Sequence, residues 1–183
     1  MSDILNKHSN ELSRFYSYAK DILSNDKIEI PSTLKTKIQT AVIEKLGLDN
    51  INQLRDRFEG QAYLNKSMLS LTSIYVLEKS LSKEIKLPSD FPFNSQNRHI
   101  VRIDEKSFHL VTSYFGNLPK IEIEPTLPLV FCGIRNDYKN GIFYGFLKNY
   151  EIENKELFHH KNTGLISGYE FIGFKHLSAK NIE

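Results

Sequence analysis

Glu122 and Glu124, in Lys-Ile-Glu-Ile-Glu-Pro at 120–125, stand one residue apart. On an extended strand that spacing sends both carboxylates to one side, about 6.6 Å apart by strand rise. Two hard oxygen donors so placed can hold a divalent cation, which a metal-dependent nuclease requires. Nucleases that combine such acids with a lysine carry it two residues after a glutamate. Here Lys120 precedes Glu122 and Pro125 follows Glu124. The alternation with Ile121 and Ile123 is also that of a strand with one buried face and one wet face.

The histidines are His8, His99, His109, His159, His160 and His176. A histidine near Glu124 or Asp104 would serve metal binding or acid–base chemistry. His159 and His160 are neighbours in a stretch that reads as a loop, and neighbours on extended chain face opposite ways, so one at most serves a given site. His109 falls within a strand-like run and is expected to pack or to face solvent. Glu122, Glu124, His109 and His159 are the catalytic candidates; no metal site and no cofactor follows from spacing alone. Cys132, the single cysteine, lies in Leu-Val-Phe-Cys-Gly-Ile. Apolar flanks of this kind bury a thiol, raise its pKa and suppress its nucleophilicity. There is no Gly-x-Ser-x-Gly, no phosphate-cradling glycine loop and no His-Glu-x-x-His, which weighs against several common enzyme classes.

A second set of candidates lies in CGIRNDYKNGIFYGFLKNYE, residues 132–151. Asn140-Gly141 signals a tight hairpin, because both residues tolerate the positive φ of a type I′ turn. A two-residue loop pairs Lys139 with Ile142. A five-residue loop over 137–141 instead sets Gly133 opposite Gly145 and leaves a gap in the side-chain layer, to be filled by an aromatic ring. If a ligand or a partner's backbone approaches there, Gly133, Tyr138, Lys139, Tyr144 and Gly145 are its contact residues. Aromatic residues crowd the last 50 positions, and small barrels stack nucleic-acid bases on such rings. Arg98, Arg102, Arg135, Lys139, Lys148 and Lys175 would supply charge, but Glu151, Glu153, Glu156 and Glu170 interleave with them.

The elements that must position these groups divide the chain. Seven of the nine glycines follow residue 115, and Pro31 is the one proline in the first 87 residues. Apolar residues recur at helical spacing over 12–23, over 34–46 after Pro31-Ser32, over 51–58 after Asp49-Asn50, and over 64–81 in a helix running to about Lys86. Gly47 sits where a helix terminus needs positive φ. Leu-Pro-Ser-Asp-Phe-Pro-Phe at 87–93 breaks the period. Six short β-rich runs then follow, with no βαβ rhythm to suggest a parallel sheet. The expected architecture is α+β: a helical domain at 1–87 of three or four helices, a linker at 88–97, and an antiparallel β domain at 98–183, a small barrel or sandwich.

Composition bounds function without naming it. The 40% hydrophobic and 25% charged content is that of a globular chain. Net charge is +2, with 13 basic and 12 acidic residues before position 96 and 11 and 10 after it. Neither half carries the clustered basic footprint of a nucleic-acid binder. No apolar run nears the roughly 20 residues that span a bilayer, and the first 15 residues do not form a secretory signal. Lys (18) outnumbers Arg (6), a bias suggesting AT-rich coding and a bacterial or phage source. These features lead to the expectation of a cytoplasmic, non-catalytic module that binds a protein partner or a second copy of itself. The alternative is a nucleic-acid-binding or metal-dependent nuclease-like protein using Glu122 and Glu124.

Overall fold

Pro31 carries the φ of −66° that its ring imposes, and a helix follows it directly. The computed structural model describes residues 26–55, 58–87, 100–115, 117, 120–121, 127–147, 158–160 and 163–165, with helical positions at 13, 17, 20 and 24. Helix α1 spans Ser32–Lys45. It ends on Leu46 and Gly47, whose φ is +64°. Gly47 N–H donates to the carbonyl of Glu44, and Leu48 N–H to that of Ile43. This pair of bonds is the Schellman closure that a glycine allows. The short α2, Asn52–Arg55, starts where Asn52 N–H donates to Asn50 Oδ1 at 3.0 Å. Asp49 and Gln53 brace that start through two reciprocal hydrogen bonds.

Helix α3, Phe58–Leu81, is the centre of the molecule. Leu64 and Met68 pack with Ile38 and Val42 of α1 and Leu54 of α2. Ile74, Leu77 and Leu81 pack instead on the sheet, against Val101, Phe108, Leu110, Val130, Cys132 and Phe146. Val76 meets Ile30 and Ile134. A helix apolar on several sides must be enclosed, and small buried residues at every third position (Ser67, Ser70 and Ser73) permit close approach. Each fully buried leucine such as Leu77 contributes about 2 kcal/mol by removal from water.

The strands are β1 (Ile28–Glu29), β2 (Ile85–Lys86), β3 (Ile100–Ile103), β4 (Lys106–Tyr114), β5 (Lys120–Ile121), β6 (Leu129–Ile134), β7 (Asn140–Leu147), β8 (Phe158–His160) and β9 (Thr163–Leu165). Six of them form a curled half-barrel in the order β1-β7-β6-β4-β3-β2, and β5-β9-β8 form a second sheet. The large sheet is mixed: β4 and β6 run parallel, Leu110 beside Val130 and Tyr114 beside Ile134. That corrects the expected antiparallel module. Two hairpins, β3–β4 and β6–β7, are joined edge to edge by a crossover instead of a turn, and crossovers leave no turn signature in sequence. The described residues do not confirm the expected bundle of three or four helices: α1, α2 and one end of α3 share a core, but the other end of α3 packs on the sheet. Leu81 ends α3, Ser82 takes φ +52°, and the chain continues as the strand β2. Both edge strands come from the first half of the chain, and Leu81 and Ile85 share one core with Val101 and Phe108. Residues 88–97 lie outside the described residues. No helix among the described residues is long and apolar enough to cross a membrane.

Candidate functional site

The β6–β7 loop is four residues long, 136–139, intermediate in length between the two expected loops but in a register that neither of them gives. Arg135 N–H donates to the carbonyl of Asn140 at 2.9 Å, and Ile134 lies opposite Gly141. Tyr138 N–H closes the turn on the carbonyl of Arg135, and Lys139 N–H donates to Asp137 Oδ1 at 3.1 Å. The left-handed residue is Tyr138, at φ +56°, and not the Asn-Gly pair. A bulky side chain in that region is strained by roughly 1–2 kcal/mol.

What offsets the strain is where the ring goes. Tyr138 packs on both the α1–α3 cluster and the Ile30–Val76–Ile134 cluster. Its hydroxyl lies 2.6 Å from that of Tyr114 at the end of β4, with the two rings edge to face at 6.0 Å. Lys35 Nζ of α1 stands 6.0 Å from the ring centroid. Burial first, then the Tyr114 hydrogen bond, push the Tyr138 phenol well above its ordinary range, so it stays protonated. Ile30 N–H also donates to the carbonyl of Lys139 at 2.9 Å. The turn is thus held from three sides: by β4, by α1 and by the β1–α1 junction.

The outward side of this held turn is polar. Arg135, Asn136, Asp137 and Lys139 are exposed, and Arg135 Nη2 lies 3.4 Å from Asp137 Oδ2. Arg135, Asn136 and Asp137 join Phe115 around an open cavity of about 290 Å³. Phe115 is brought there by the parallel pairing, its N–H donating to the carbonyl of Ile134.

Gly133 and Gly145 are separate devices. Gly133 lies opposite Ile142, and Gly145 opposite Phe131. The expected aromatic does fill the space over Gly133: it is Tyr144, whose ring Cε2 and Cζ lie 2.7 Å from where a Cβ would sit. Gly145, at φ +130°, follows the extra residue Tyr144 in a bulge at Phe131/Cys132, so Phe143 and Phe146 both stay in the helix-facing core.

The catalytic candidates are not assembled by the described residues. Glu122 and Glu124 lie outside them. His109 sits on β4 opposite Leu129, five residues or about 17 Å along the strand from the Tyr114 corner. His159 is in β8 of the second sheet, opposite Gly164. Asp104 is taken up by Lys83 at 2.5 Å. No group of three or more histidine, cysteine, aspartate or glutamate side chains that could hold a metal ion occurs among the described residues. Of the residues at this corner, Tyr138 and Lys139 were singled out from the sequence; Tyr114 and Phe115 were not, because only the strand order brings them there. No family model matches the chain, and neither a curated protein nor a solved structure matches it.

Proposed function

We propose that the chain is a non-catalytic interaction module whose docking surface is the β6–β7 corner. The observation that carries this reading is Tyr138. A strained, left-handed residue holds an exposed polar turn rigidly against three elements. Strain of this kind persists where the surrounding structure over-determines it, and it concentrates at functional sites. A turn fixed before binding loses little entropy on docking, which is how a small surface gains affinity. The mixed charges of Arg135, Asp137 and Lys139 suit recognition of a protein surface, where polar groups set register and specificity.

The test is a photoreactive residue at Asn136, with the same residue at exposed Gln61 of α3 as control. Irradiation in the native cell should give a discrete adduct from position 136 and none from 61. An adduct of twice the chain mass identifies a second copy as the partner. Equal labelling from both positions, or none from 136, would refute the docking role, and a nuclease-sensitive adduct would replace it with nucleic-acid binding.

A further inference from the structure

Resting on that docking reading, we infer that the cavity at the corner receives the C-terminal carboxylate of a partner chain ending in an apolar residue. The cavity, about 290 Å³, lies at the lower limit of ligand-sized pockets, enough for one residue. Its described lining carries one cation, Arg135, and one carboxylate, Asp137; Lys139 lies further along the turn, and Lys35 stands over the neighbouring Tyr138 ring. Asp137 is already committed: Oδ1 accepts the Lys139 amide and Oδ2 faces Arg135.

Arg135 is not used up in return. At 3.4 Å its contact with Asp137 is longer than a strong charge-assisted bond, and its side chain is 47% exposed. A guanidinium carries five donors in a planar fork that matches a carboxylate. Asn136 adds an exposed carboxamide, and partly buried Phe115 supplies an apolar wall. Fork and apolar wall border the same small space. An aspartate or glutamate side chain offers the carboxylate with no apolar body. A C-terminal apolar residue carries both on one unit.

The probes are N-acetyl-phenylalanine, its C-terminal amide, and the amide of N-acetyl-glutamate, which keeps an acidic side chain but has no free terminus. Each is titrated into the full chain while the Arg135 and Asn136 side-chain N–H signals are followed by NMR. The free acid should shift both signals saturably, with a dissociation constant in the millimolar range or about 10⁻³ M, as suits a single anchoring residue. The phenylalanine amide should leave them unmoved. Arg135→Gln should weaken binding about tenfold, and Arg135→Lys, which keeps charge but loses the fork, should recover part of it. An unchanged backbone spectrum for each variant confirms that the fold is intact. Equal binding of the phenylalanine amide, preference for the glutamate compound, or indifference to Arg135→Gln overturns the inference. If the position-136 adduct forms while N-acetyl-phenylalanine fails to bind, the corner docks a partner by other chemistry. If neither occurs, the docking reading falls with it.

Discussion

One methyl group at Gly133 tests the packing of the β6–β7 hairpin. Tyr144 is 2% exposed, so its ring has nowhere to retreat from a Cβ at 2.7 Å. Gly133→Ala should therefore lower stability by about 1–3 kcal/mol in urea denaturation, the usual cost of overpacking. Combined with Tyr144→Ala, the loss should fall well short of the sum, because the smaller side chain vacates the space the methyl needs. Additive losses would show that the ring is not the obstacle. Cys132 offers a measurement of a different kind. It is fully buried, and burial raises its thiol pKa above the ordinary value. The folded chain thus keeps its proton at pH values where the unfolded chain, near the ordinary value of about 8.5, has lost it. The stabilisation is complete below that value and drains away as pH rises, by at most about 1.4 kcal/mol per pH unit. Between about pH 8.5 and 10, Cys132→Ala should show a flatter stability profile than the unmodified chain. Native protein should also resist iodoacetamide until it is unfolded.

At the level of elements the β6–β7 turn is the sharpest case. Tyr138→Phe removes one hydroxyl of the Tyr114 pair and keeps the ring, so it should cost about 0.5–1.5 kcal/mol. Tyr138→Gly relieves the φ strain but empties the wedge between two clusters, and should cost more despite its easier backbone. A more stable glycine variant in thermal or urea unfolding would show that the ring does not anchor the turn. The same residue explains what could be read from sequence. Local chemistry was legible: Pro31 and Gly47 mark the ends of α1, and Asn50 marks the start of α2. Asn140-Gly141 misled because long-range burial of the Tyr138 ring outweighs the local ease of an Asn-Gly turn. Gly141 is needed elsewhere, since a Cβ there would collide with Val76 and lie 2.9 Å from Ile134 Cδ1. The three-sided packing of α3 spreads its apolar residues around the helix. A single helical stripe over 64–81 therefore cannot hold Leu64 and Met68 together with Ile74, Val76 and Leu77.

Across the whole molecule, the two halves of the chain are interleaved. β1 pairs with β7 and β2 with β3, so the helical segment between them is fastened at both rims of the curled sheet. A protease cut within 88–97 should consequently leave a nicked protein whose pieces co-elute under native conditions and part only in denaturant. Release of a free helical fragment would mean that the shared core contributes little. The candidate site is a product of the same interleaving: Lys35 and Ile30 come from the first half, Tyr114, Arg135 and Tyr138 from the second. No local stretch encodes it, which is why only its turn residues were legible. The fastening of both rims also bears on how such a chain is made. A ribosome delivers α1, α2 and α3 well before β6 and β7 exist, so the apolar surfaces of α3 emerge with no sheet to receive them. Until about residue 147 has cleared the exit tunnel, the nascent chain must keep those surfaces apart from one another and from its neighbours. Closure of the shared core is therefore gated by the arrival of the second half of the chain.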